Sequence, residues 1–294
     1  MDTSLLSAAI VGGVLNGSLY ALLGLAIVLI FRTTTVANFA QGEMAMFSVF
    51  ILIMFADSLP LPLWGQWFVT VLVSAVAGAL VYIVLLRPNP QAEHLNLTVR
   101  TLGLYTLIYA VSVYFWGANE PYTVPSLFGD GTIAIGGFHI SYDQLGTILV
   151  TVVLGALFLL FFQLTQLGLA MRAVAINPEV AGLLGVNVAK ITLMVWFIAG
   201  AIGAVVGLLV APVSFLDTLL MRPYILKAFT AAILGGLYSF PGVIAGGLVL
   251  GLAESFASIW ISIHLREPFT FAILLIALLL RPGGLFGRVH KVRV

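Results

Sequence analysis

The stretch NFAQGE, Asn38 to Glu43, places two amides, a glycine and a carboxylate together near the start of a long apolar run. Polar and ionisable groups at membrane depth are costly and commonly face a cavity or a partner. Asn38 and Gln41, three apart, are expected to share a helical face, with Glu43 pointing elsewhere. Gly42 between them permits a kink or a close backbone approach. Such a set can line or gate a pathway. It can equally hydrogen-bond neighbouring helices together, with Glu43 paired to Arg32. Glu254 is a second carboxylate in an apolar run, behind Gly247 and Gly251. It suits an amine or proton site, or a hydrogen-bonded structural acid. Asn16 is a weaker case of the same kind, and Thr230 completes the candidate pathway residues.

No catalytic or metal site accompanies these groups. There is no G-x-x-x-x-G-K-[ST] to cradle nucleotide phosphates and no H-E-x-x-H. The four histidines are scattered, and no Ser, His and acid suggest a triad. With no cysteine, disulfides and thiolate chemistry are excluded. The net charge of +1 gives no sign of nucleic acid as a partner.

A different kind of signal runs from Arg172 to Asn187, RAVAINPEVAGLLGVN, between apolar runs 140–164 and 191–211. Asn177 suits an N-cap, Pro178 the first helical position, and Glu179 the first turn, where negative charge is favoured. Val180, Leu183 and Leu184 recur at helical spacing, and Gly185 is placed to end the helix in the left-handed conformation. Two turns of capped helix between membrane spans give a soluble partner something to push, or simply connect the spans.

The elements that must position these residues are membrane helices. The chain is 62% hydrophobic and 8% charged, against a charged fraction of about 25% in soluble domains. Its 294 residues contain no long polar stretch. The N-terminus, MDTSLLSAAI, has no basic region and does not read as a signal peptide. Apolar segments fall at 5–31, 36–56, 64–86, 99–116, 140–164, 191–211, 224–239, 242–263 and 268–280. A span needs about 20 residues, so 224–239 is short and suits a re-entrant or broken helix. Trp64 and Trp67 read as interface-seeking rings, and TIAI-GG-FHIS as a hairpin on a Gly136–Gly137 turn. Gly13 and Gly17, Gly203 and Gly207, Gly242 and Gly246, and Gly247 and Gly251 are spaced for close helix packing. The expected fold is all-α, a polytopic transmembrane bundle of about 8–9 segments with a short cytoplasmic coupling helix at about 177–185.

With the 165–190 loop in the cytoplasm, Arg32, Arg87, Arg100, Arg172, Lys190, Arg281, Arg288, Lys291 and Arg293 fall inside. Only Arg222, Lys227 and Arg266 fall outside, a positive-inside bias. Nine crossings put the two ends on opposite sides. Physics alone leaves a transporter or channel subunit, a membrane scaffold and, least supported for want of paired catalytic groups, an intramembrane enzyme.

The segments NFAQGEMAMF (38–47), RAVAINPEVAGLLGVN (172–187), KAFTAAILGGLYSFPGVIAGGLVLGLAES (227–255) and RPGGLFG (281–287) add what spacing cannot. With them in this order, the sequence resembles the LivH-type permease family of branched-chain amino acid ABC transporters over essentially its whole length. Gln41 stands where many members have His, and Tyr238 where glycine is common. The resemblance implies one transmembrane permease domain, 1–294, in a bacterial or archaeal cell membrane, with no cofactor of its own and no enzymatic activity. Expected partners are a LivM-type permease subunit, two cytoplasmic ABC ATPases carrying ATP and Mg, and an extracytoplasmic substrate-binding protein. Residues 172–187 would seat in one ATPase. Similar permeases usually have about eight spans, in conflict with nine segments; the discrepancy falls at 5–31 or 224–239. Leucine, isoleucine and valine are the usual cargo, and relatives with similar motifs carry urea, short amides or other amino acids. An uncoupled channel or scaffold subunit is the alternative from another class.

Overall fold

A computed structural model describes residues 3–56, 58, 60–89, 93–118, 120–129, 131–135, 138–261, 266–281 and 283–285. Its helices are α1 (Thr3–Thr34), α2 (Gln41–Ala56), α3 (Leu63–Val81), α4 (His94–Trp116), α5 (Tyr142–Leu164), α6 (Gln166–Ile176), α7 (Pro178–Leu183), α8 (Val188–Ser214), α9 (Arg222–Gly235), α10 (Phe240–Trp260) and α11 (Arg266–Leu280). A π-helical turn, Tyr82–Leu86, continues α3. Strands β1 (Thr132–Ile135) and β2 (Phe138–Ser141) pair antiparallel, Thr132 opposite Ser141. The expected hairpin is therefore present, while its Gly136–Gly137 turn lies outside the described residues, as do 262–263 and the basic tail beyond Leu285.

Among the described residues six helices are long and apolar enough to cross a membrane: Leu5–Thr34, Leu63–Leu86, His94–Trp116, Tyr142–Leu164, Val188–Ser214 and Phe240–Trp260. The other expected segments form shorter helices: α2 of 16 residues, α9 of 14 and α11 of 15. Their lengths, about 21–24 Å at the helical rise, fall short of a ~30 Å hydrocarbon core. One helix was not expected. Residues 166–176 form α6, capped by Thr165, whose hydroxyl accepts from Gly168 N. Local capping also starts α5, where Ser141 and Gln144 exchange side-chain-to-backbone hydrogen bonds of 3.1 and 3.2 Å.

The chain forms two compact units. One comprises Met1–Val28, Phe128–Ala156 and Leu226–Val294; the other comprises Leu29–Leu127 and Leu157–Ile225. In the first, α1 crosses α10 at glycines. A Cβ on Gly17 would lie 2.8 Å from Gly247 O, and one on Gly13 2.8 Å from Leu252 Cα. Gly246 likewise faces Ala231 of α9, and Leu285 N donates to Leu234 O at 2.7 Å.

In the second unit the middle of α8 is the packing axis. Gly200 meets Ser74 of α3, whose hydroxyl donates to Gly200 O at 3.0 Å, and Gly78 meets Trp196. On another side, Gly203 faces Gln41 and Ala45, and Gly207 faces Ala45 and Val49. Contacts that advance together along both helices make α2 parallel to α8. One end of this unit is aromatic: Trp116 stacks on Phe50 at 4.7 Å and its carbonyl accepts from Tyr122 Oη at 2.9 Å. The opposite end is basic. Arg32 stands over the Phe162 ring at 5.5 Å, Arg100 donates to Leu85 O at 2.7 Å, and Arg172 to Gln163 O at 3.3 Å. Trp64 is exposed as an interface ring should be, but Trp67 is buried among its neighbours, so only one of the two fits that expectation.

Gly207→Val would force a side chain against the Ala45 carbonyl, 2.8 Å from the Cβ position. It is expected to cost about 1–3 kcal/mol, seen as a lower melting temperature of the detergent-purified chain. Gly155→Ala, where nothing lies within 4 Å of the Cβ position, should leave the melting temperature unchanged or slightly raised.

Candidate functional site

Between α1 and α2 the chain stops being helical over residues 35–40. Thr35 ends α1 with φ +56, a left-handed conformation that a β-branched residue rarely adopts. Its hydroxyl lies 2.6 Å from His94 Nδ1 at the start of α4. Further along, Thr101 Oγ1 donates to Ala37 O at 3.0 Å and accepts from Phe39 N at 3.3 Å. Thr101 is seven residues, about 10 Å, into α4. The segment thus travels inward along α4 before α2 begins.

Asn38 and Gln41 organise that beginning. Asn38 Oδ1 accepts from Ala40 N at 3.1 Å, and its Nδ2 donates to Gln41 Oε1 at 3.0 Å. Gln41 Nε2 donates in turn to Ala199 O at 2.8 Å. Gly203 leaves room for this amide, since a Cβ there would lie 2.7 Å from Nε2. Ala199 is eleven residues into a 27-residue helix, about 16 Å along a length of about 40 Å. α2 is therefore a half-length helix that starts opposite the middle of α8. Asn38 precedes the helix, so the expected shared helical face is replaced by a direct side-chain bond. Gly42 packs on Ile225 and Met221, where α9 begins.

Glu43, in the first turn of α2, is 3% exposed, and its Oε2 has no hydrogen-bond partner among the described residues. The expected Glu43–Arg32 pair does not form: Arg32 lies instead over Phe162, across the basic end. The cation whose field reaches Glu43 is Arg222, on the exposed first turn of α9.

The second carboxylate, in the other unit, is fully partnered. Glu254 of α10 accepts from Lys227 Nζ at 2.6 Å and from Tyr20 Oη at 2.9 Å. Lys227 also lies 3.4 Å from Glu267, which is 53% exposed, and 5.7 Å from the Tyr20 ring centroid. Lys227, expected among the outer loop charges, is instead buried on α9, where an ammonium group needs an anion at hand. Tyr20 and Lys227 were not among the expected site residues. A lysine followed at once by an apolar run was the available signal for the second of them. Asn16 is half-buried on α1, one turn before Tyr20. Thr230 is buried with its hydroxyl donating to Leu226 O at 3.0 Å, a bond within its own helix.

The 177–185 stretch folds as its sequence indicates. Asn177 Oδ1 accepts from Glu179 N and Val180 N, both at 3.0 Å, Pro178 occupies the first position, and Gly185 has φ +87. Leu183 and Leu184 are 88% and 78% exposed, and Val180 is exposed beside them. Arg172 is not on this helix. It sits on α6 and turns back toward Gln163.

Spans, an interrupted helix and buried charged groups define an integral membrane protein built around a polar break, the architecture of a solute permease. Residues 9–279 match the model for the branched-chain amino acid transport system permease component, and the chain belongs to that family. It is 30% identical to the high-affinity branched-chain amino acid transport system permease protein BraD of Pseudomonas aeruginosa, over 97% of each chain. Identity to the permease protein LivH of Escherichia coli K12 is 31% over 96% of each. The probable LivH of Methanocaldococcus jannaschii is 27% identical over 94% of this chain and 91% of its own. No solved structure matches. The chain is accordingly a multi-pass permease component of the cell membrane.

Lys227→Met leaves Glu254 buried without its cation and is expected to destabilise by about 3–5 kcal/mol. Lys227→Met combined with Glu254→Met should recover most of that loss, as read from thermal unfolding in detergent.

Proposed function

We propose that this chain is one of two permease subunits of an ATP-driven importer of branched-chain amino acids. The single observation that supports coupling is α7, a capped two-turn helix between α6 and α8 that exposes Val180, Leu183 and Leu184. An exposed apolar face of this size suits a groove on a cytoplasmic ATPase. Residues 177–185 are its coupling element, with Arg172 bracing α6 from behind. Two ATPases carrying ATP and Mg, a LivM-type second permease and an extracytoplasmic binding protein complete the assembly.

In this reading residues 1–294 act as one permease domain. The six full-length spans are joined by α2, α9 and α11 as partial membrane segments, one element for each of the nine apolar runs. The basic end of the second unit, with Arg32, Arg100 and Arg172, faces the cytoplasm. Asn38, Gln41, Gly42 and Glu43 belong to the pathway at the α1–α2 break. Glu254 ties α10 to Lys227 of α9, and Thr230 of α9 and Asn16 of α1 are the remaining polar candidates. The assignment of leucine, isoleucine and valine follows the names of relatives matched along nearly the whole chain. ATP-driven closure of the ATPases biases two arrangements of the membrane helices, outward-open and inward-open.

The test is leucine uptake into vesicles holding the complete transporter with Leu183→Asp and Leu184→Asp. Loss of two central apolar contacts is expected to lower uptake about 30-fold or more, with ATPase subunits released on purification and the permease still inserted. Wild-type uptake by the double variant would return the chain to an uncoupled channel or scaffold.

A further inference from the structure

We propose that the break between α1 and α2 is a binding site for the headgroup of a free α-amino acid, with Glu43 receiving its ammonium group and the first turn of α2 its carboxylate. The inference deepens the transport reading above and rests on it.

A buried carboxylate oxygen without a partner is costly, and native structures rarely keep one unless something else supplies the bond. Glu43 Oε2 is such an atom, and no ion pair within 4.0 Å reaches its carboxylate among the described residues. Beside it, the main-chain N–H groups of Gly42 and Glu43 have no acceptor among the described residues. Helix ends normally leave such donors free, and water satisfies them at a surface. Here the helix starts opposite the middle of α8, with Asn38, Ala40 and Gln41 fully buried around it. The site thus presents one unmet anion and a set of unmet donors at a positive helix end.

The chemistry of the missing ligand follows. A cation alone would satisfy Glu43 and leave the N–H groups; an anion alone would meet Glu43 as a like charge. A zwitterion answers both and brings no net charge into an apolar interior. An α-amino acid carries its two charged groups on adjacent atoms, matching a carboxylate that projects from the same turn as the free N–H groups. Ile225 and Met221, packed against Gly42, give an aliphatic surrounding suited to a branched side chain. Glu254 offers no such opening, because Lys227 and Tyr20 already occupy its oxygens.

The test uses the complete transporter in vesicles, with leucine and 2-hydroxy-4-methylpentanoate, which lacks the ammonium group, as probes. An apolar carbodiimide, which modifies carboxyl groups in membrane interiors, is applied to the wild-type complex and Glu43 labelling is read by mass spectrometry. With leucine at about ten times its half-saturating concentration, simple occupancy lowers labelling about tenfold, and the hydroxy acid gives no protection. Glu43→Gln should lower leucine uptake about 100-fold, the scale for removing one partner of a buried charge pair, and Glu43→Asp should restore part of it. Labelling indifferent to leucine overturns the inference. So does a Glu43 that the reagent never reaches, which is closed to an amino acid as well, and so does Glu43→Gln uptake within threefold of wild type. Wild-type vesicles that take up no leucine overturn the transport reading itself. Uptake with an unprotected Glu43 overturns the headgroup site alone.

Discussion

A main chain that leaves the helix inside an apolar medium must find partners for every N–H and C=O it frees. Within residues 35–41 three buried side chains supply much of that bonding. Thr101 serves Ala37 and Phe39, Asn38 serves Ala40, and Gln41 ties the result to Ala199. The break is therefore a constructed feature with its own hydrogen-bond system. The left-handed Thr35 that opens it adds strain which the surrounding contacts hold in place. The Glu43 Oε2 atom and the N–H groups of Gly42 and Glu43, by contrast, have no partner among the described residues.

The break also dictates the packing around it. α2 can begin opposite the centre of α8 only if α8 is thin there. Gly200, Gly203 and Gly207 make it so, admitting the α3 backbone, the Gln41 amide and the Ala45 carbonyl in turn. Between membrane helices there is little hydrophobic driving force, so backbone proximity and polar bonds do the holding. In the other unit the same economy appears as glycine crossings of α1 on α10, supplemented by the Lys227–Glu254 pair. That pair joins the short α9 to α10 through a charge that has no water to retreat into.

What the sequence made legible was local. The cap at Asn177, the proline after it and the left-handed glycine at 185 are short-range rules, and α7 obeys all three. Glycine pairs at four-residue spacing likewise announced close crossings, and each pair lies at one. The half-length α2 was not legible, because 36–56 is apolar enough as a whole to read as one segment despite Asn38, Gln41 and Glu43, and hydropathy does not distinguish non-helical chain from helix. Asn38 was placed on a helical face by its spacing, although its side chain closes the turn before the helix. Lys227 was counted with loop charges because its anion lies 27 residues away in sequence. α6 was missed because QLGLAMRAVAI begins just past the apolar run 140–164 and so reads as part of the 165–190 loop, although Thr165 was available as its cap.

These elements meet in the second unit, which holds α2, α6, α7 and α8 together. Asn177 closes α6 through its N–H to Ala173 O and opens α7 through its side chain. Beyond Gly185, Asn187 caps α8 by accepting from Lys190 N at 3.0 Å. No long flexible stretch intervenes between the exposed leucines and the first turn of α8. If an ATPase bears on α7, the displacement enters α8 through the short joint capped by Asn187 and is not absorbed by slack chain. The middle of α8 is where Ala199 holds Gln41 and where Gly203 and Gly207 hold α2 at backbone distance. A shift of α8 along its axis must either carry the α2 N-terminus with it or break the Gln41 bond. Both outcomes change the surroundings of Glu43, so a headgroup held there is sensitive to the state of α7. Under the proposed function, ligand binding at the break and force on α7 would be linked reciprocally, as any two sites that bias the same element must be.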